Sequence, residues 1–135
     1  MASAMYGPGK QGLLTGLIDL DTDDIRAMLV KSAYTFVSTH QFVADLPAAT
    51  ADNGRSGALG SVTASTAGVV DASDSSLTAT SAAACNAIIL LKHTGADATA
   101  RLICYLDVAA FTPSASQTVT ITWDNGASKI FAWNG

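Results

Sequence analysis

From Ile25 onward the chain divides into about eight short runs, apolar or alternating, separated by Gly, Asn, Asp, Ser and Pro, which is the rhythm of strands joined by turns. The clearest run is 117–123, where Val119, Ile121 and Trp123 alternate with Thr118, Thr120 and Thr122. Such alternation buries one face of a strand and leaves the other to solvent or to a partner. All 11 acidic residues are Asp, and Glu is absent. Glu is a good helix former whereas Asp prefers caps and turns, so this skew also favours strands and loops. The fold class expected is all-β, an antiparallel β-sandwich or jelly-roll-like arrangement with one short helix and an extended N-terminal arm.

A chain of 135 residues fits one domain and is long enough for a core without staples. Residues 1–12 read as a small-residue arm, with Tyr6-Gly7-Pro8-Gly9 as a turn or extended lead, and 13–135 as a single β-sandwich domain. Such an arm is either a disordered tail or a segment that docks on a neighbour, for which Tyr6 argues, and its loss is expected to leave the domain folded. Residues 38–46 suggest the short helix, capped by Ser38 or Thr39, with Phe42, Val43 and Leu46 inward and Pro47 ending it. The Asn53-Gly54-Arg55-Ser56-Gly57 stretch reads as a flexible external tip.

Short runs at 62–66, 68–72 and 76–80 read as edge or half-buried strands. Residues 84–92 carry Ile88 and Leu90 on one face and Ile89 and Leu91 on the other, as a strand covered on both sides does. A hairpin through 93–97 leads to 100–108, with Leu102, Cys104 and Leu106 on one face and Arg101, Ile103, Tyr105 and Asp107 on the other. Asp124-Asn125-Gly126 predicts a type I′ turn returning the chain through 129–133 as a closing hairpin. Residues 24–33 are ambiguous: Ile25, Met28, Leu29 and Ser32 share a helical face, while Ile25, Ala27 and Leu29 share a strand face.

Composition excludes several function classes. Net charge is −4 and no basic cluster is present, so the phosphate-neutralising footprint of a nucleic-acid binder is missing. The longest strongly apolar run, 87–91, is far short of a membrane span, and the N-terminus lacks a signal-peptide core, which fits cytoplasmic synthesis. Cys85 and Cys104 lie within apolar runs without His or Cys at ligand spacing, and read as buried free thiols. Asp19, Asp21 and Asp23 mimic the opening of a calcium loop, but its sixth position is Asp24 instead of Gly and its twelfth is Val30 instead of Glu; a polar turn is the reading adopted. His40 and His93 are isolated from any nucleophile motif and read as surface histidines, so neither an enzyme nor a cofactor or metal site is expected. Trp123, Trp133 and Tyr105 offer sugar-stacking rings, although inward packing is the commoner use of Trp in such strands. Candidate contact residues are Tyr6, Pro8 and Lys10 in the arm and Asn53 and Arg55 in the loop.

One segment carries more specific information. Gly16, Ile18, Asp19, Leu20, Asp21, Asp23, Ile25, Arg26 and Leu29, followed by Ser32, Tyr34 and Thr35, match the pattern G-x-I-D-L-D-(S/T)-D-x-I-(K/R)-x-x-L with S-x-Y-T after it. The apolar run 88–91, the Lys-x-Thr-Gly loop 92–95, Tyr105 with Asp107, and Ile121 with Trp123 follow in order. Together they resemble small virion structural proteins of tailed phages, of the capsid decoration or cement type. The resemblance spans most of the chain, with 48–83 matching only in its Gly and Thr character and the alanines at 82–84 departing from it. It implies a strand at 24–33, a location on the capsid surface, and two partners: the major capsid protein and further copies of the chain, as a dimer or trimer. A tail or head-to-tail connector position and a virion-exposed carbohydrate-binding module are the alternatives.

Overall fold

A computed structural model describes residues 3–124 and 130–132. In chain order the elements are β1 (Ala4–Met5), α1 (Gly7–Thr15), β2 (Ile25–Lys31), a 3-10 turn (Val43–Asp45), α2 (Ala48–Ala51), β3 (Asp52–Arg55), β4 (Thr63–Ala64), β5 (Val69–Asp71), β6 (Ser75–Thr78), β7 (Cys85–Lys92), β8 (Arg101–Phe111), β9 (Thr118–Ile121) and β10 (Phe131–Ala132). The fold is all-β and sandwich-like. A sheet ordered β1-β8-β7-β2-β3 is joined by two smaller ones, β10-β5-β4 and β6-β9, and every pairing is antiparallel.

The centre is decided by β2 and β7. Their runs Ala27-Met28-Leu29-Val30 and Ala87-Ile88-Ile89-Leu90-Leu91 are buried without interruption, so both faces of the sheet need cover. Ile25, Ala27, Leu29, Ile88 and Leu90 face the smaller sheets, where Val70, Leu77, Ile121 and Trp123 meet them. Met28, Val30, Ile89, Leu91, Leu102 and Tyr105 face the other way, under Tyr6, Tyr34, Val43, Leu46 and Ala51. A helix over 24–33 would aim its apolar residues at one side only, whereas this environment takes them on two. Burying each large aliphatic side chain contributes roughly 1.5–3 kcal/mol.

The N-terminus corrects the expectation of an arm. Ala4 and Met5 pair with Tyr105 and Cys104 at the sheet edge, and Gly7–Thr15 is helical. Tyr6 is fully buried, and its N–H donates to the Ile103 carbonyl at 3.1 Å. Ile103 is the extra residue of a bulge: Leu91 stands opposite Leu102, but Leu90 stands opposite Cys104. The bulge overturns the simple alternation expected for 100–108, because Ile103 and Cys104 now join one core cluster while Leu102 and Tyr105 join the other. It is also where α1 seats. A Cβ on Gly9 would lie 2.6 Å from the Ile103 carbonyl oxygen and 2.7 Å from that of Leu102.

Other local expectations shift as well. The helix placed at 38–46 is reduced to the 3-10 turn, and its cap is the Asp45 carboxylate, which accepts from the Gln41 and Phe42 N–H groups at 2.9 Å. The supposed tip at 53–57 is edge strand β3 and its exit, with Asn53, Gly54 and Ser56 buried. Gly54 has φ +119°, and a Cβ there would run into the Thr78 carbonyl oxygen. The β7–β8 hairpin forms, but β9 pairs with β6 and β10 with β5, so the ends of the expected closing hairpin belong to different sheets. Residues 125 and 126 of its turn lie outside the described residues.

Two variants test the seating of the N-terminus. Gly9→Ala gains roughly 1 kcal/mol of helix propensity, but its methyl meets fixed backbone oxygens, and overpacking of this kind costs about 1–3 kcal/mol. A net loss of stability in urea titration is expected. Removing 1–12 uncovers Tyr105 and Leu102 and is expected to abolish or strongly weaken cooperative unfolding, which thermal denaturation followed by circular dichroism checks.

Candidate interaction surface

The five residues singled out in the sequence do not form one site. Tyr6 lies inside, its hydroxyl 3.1 Å from that of Tyr34, which is in turn 3.1 Å from His40 Nδ1. Its ring packs on Phe36, with centroids 4.9 Å apart, and burial, then the Tyr34 contact, pushes its hydroxyl well above the ordinary tyrosine range. His40 thus closes a partly buried chain of hydroxyls rather than standing alone on the surface. Pro8 occupies the first turn of α1, where its missing N–H is unneeded.

Asn53 is a buried hub, not a contact residue. Its Oδ1 accepts from Thr80 Oγ1, Ser81 N and Ser81 Oγ at 3.1, 2.9 and 2.8 Å, and its Nδ2 donates to the Ser81 carbonyl and Cys85 Sγ at 3.2 Å each. An amide is suited to this role because it both donates and accepts, so the turn after β6 is tied to β3 without a buried charge. Arg55 is held on both sides, by Asp52 Oδ2 and, in a two-pronged contact at 2.7 and 3.0 Å, by Asp97. The guanidinium draws the Asp97 carboxyl below its usual range. The same holds for Asp24 beside Arg26, while backbone N–H groups of Phe42 and Gln41 lower Asp45.

Lys10 alone of the five is an exposed side chain without an ion pair among the described residues. One helical turn further along α1 stands Leu14, 74% exposed, and beyond the left-handed cap at Gly16 stands Leu17, 48% exposed. The following turn is pinned by Lys92, whose Nζ donates to the Leu17 carbonyl at 2.8 Å and pairs with Asp23 Oδ2 at 3.1 Å. Asp23 Oδ2 also accepts from the Asp19 N–H at 2.7 Å. Asp23 is therefore turned away from the calcium-loop arrangement that the Asp-x-Asp-x-Asp spacing imitates. Asp19 and Asp21 are left side by side and exposed, in hydrogen-bonding contact: that contact lowers Asp19 and raises Asp21 from the ordinary carboxyl range. They rim a depression of about 340 Å³ floored by Leu13, Ile18 and Leu20. Sequence reading missed Leu14 and Leu17 because exposure of an apolar residue depends on which face of α1 the bulge captures.

Elsewhere the exposed positions are mostly Ser, Thr, Ala and Gly. A groove of about 350 Å³ runs between β8 and β9, lined by residues such as Val108, Phe111, Val119 and Ile121. Among the described residues no three of His, Cys, Asp or Glu come together as metal ligands, and no helix is long and apolar enough to cross a membrane. Both cysteines are buried free thiols, that of Cys104 pushed up to about 12 by burial. The Trp123 ring is 7% exposed within the core, so it presents no stacking face to a sugar; Trp133 lies outside the described residues.

Replacing Asn53 by Ala strands several buried hydrogen-bonding groups at once and is expected to destabilise by about 3 kcal/mol in chemical denaturation, with the fold retained. Depressed folded-state carboxyls at Asp24, Asp45 and Asp97 contribute stability that is fully present above the ordinary carboxyl pKa of 3.8 and is lost as pH falls below it. The thermal midpoint is expected to hold steady from neutrality down to about pH 5 and to drop below about pH 4. No protein-family pattern matches the chain, and neither curated proteins nor solved structures yield a match.

Proposed function

We propose that the protein is a non-enzymatic virion structural protein, a capsid decoration or cement protein that binds the outer surface of a phage head as a homo-oligomer. The observation that carries this reading is the 16–35 pattern and its ordered companions downstream. Within the fold that pattern is a structural signature. Gly16 supplies a left-handed cap at φ +78°, Ile18, Ile25, Leu29 and Tyr34 are buried, and Asp23 and Asp24 are ion-paired. A chain that keeps it keeps the join between α1 and the central sheet.

Adhesion is the mechanism proposed. Exposed Val37 and Phe111, set among Ser, Thr and Ala, desolvate at little cost against coat subunits. An oligomer that engages several subunits makes its second contact at high effective concentration, so individually weak contacts add up to firm attachment. Phe111 is presented by a rigid element, since β8 is hydrogen-bonded into the five-stranded sheet. A tail or connector protein would use the same surface chemistry at lower copy number.

Quantitative mass spectrometry of purified particles from the phage encoding this chain tests the proposal. On the order of hundreds of copies per particle are expected for head decoration, acting through repeated weak contacts. Tens or fewer would assign a connector or tail position, and absence from the particle would overturn the virion reading altogether.

A further inference from the structure

We infer that α1 and the acidic turn after it form a self-complementary surface through which two copies of this chain pair about a two-fold axis, Lys10 of each copy reaching Asp19 and Asp21 of the other. The surface is uneven in a way that identifies its occupant. The acidic residues next in the chain are satisfied at home, Asp23 by Lys92 and Asp24 by Arg26. Lys10 has no anion, and Asp19 and Asp21 have no cation, among the described residues. Two carboxyls in contact on an open surface favour an incoming positive charge, and the same helix carries one.

The spacing fits. Lys10 and Leu14 are four residues apart and share one side of α1, about 6 Å apart along its axis. When two such helices run antiparallel about an axis near Leu14, the two Leu14 side chains meet at the centre. Each Lys10 then falls opposite the other copy's 17–21 segment. Its aliphatic stem covers the Leu13 and Leu20 floor of the depression while its ammonium group meets the carboxyls at the rim. Such an interface is isologous, closes at two subunits and leaves the groove between β8 and β9 free. It stands whether or not the pair decorates a capsid.

Sedimentation velocity on the full chain across a concentration series, at low and high salt, tests the inference. The wild type is expected to dimerise, more weakly as salt rises. Lys10→Asp, and separately the double variant Asp19→Lys with Asp21→Lys, are each expected to raise the dimer Kd at least about tenfold. Combining all three reverses both charges together and is expected to restore most of the affinity. Leu14→Asp is expected to abolish the dimer with the circular dichroism spectrum of the folded chain unchanged, since that side chain is 74% exposed. A wild type that stays monomeric at every concentration, a trimer, a dimer indifferent to the single-sided variants, or a failure of the combined variant to recover would each overturn it.

Discussion

The central strands β2 and β7 are apolar on both faces, and a sheet of that kind cannot stand half-covered. One cover is the familiar one of a sandwich, formed by β6-β9 and β10-β5-β4. The other is irregular, assembled from the N-terminal segment, the 3-10 turn and α2, and centred on Tyr6, Tyr34, Phe36 and Tyr105. Irregular cover leaves backbone groups to satisfy, and they are satisfied across the sheet: Tyr6 N–H by Ile103, Gly7 N–H by Ser38, and Leu102 N–H by Gln41. The chain's first residues are consequently part of the domain's second cover.

What could be read beforehand was whatever local periodicity decides. Ile121 and Trp123 are buried as the alternation of 117–123 requires, and 84–92 is covered on both faces as its unbroken run requires. Asp19 to Asp23 form the expected polar turn, ahead of β2, with the Thr22 and Asp23 N–H groups donating to the Asp19 carbonyl. What escaped depended on distant partners. Nothing local marks Ile103 as a bulge, yet that residue switches the face of its neighbours and creates the seat for Gly9. Asn53-Gly54 has the composition of a tight turn, but its φ of +119° and buried amide serve a bulged edge strand pressed against Thr78. Partner choice at the C-terminal end is likewise non-local, since β9 and β10 are adjacent in sequence and separate in sheets.

The same distinction governs the surface. Tyr6 and Asn53, chosen for their residue type, went to internal duties, and Arg55 to a three-way ion cluster. Lys10 kept its exposure because it stands on the outward side of α1, the side that also carries Leu14. Docking of α1 on the bulge thus decides both what the core gains and which side of the helix stays exposed. Core packing and surface exposure are coupled at that single contact.

Native-state hydrogen exchange measures that coupling most directly. If the N-terminal segment is an integral cover, the Tyr6 and Gly7 amides, bonded to Ile103 and Ser38, exchange only through global unfolding, at the same free energy as the central amides of β2 and β7. Exchange of those two amides at the rate of a fraying terminus, while β2 and β7 stay protected, would contradict it.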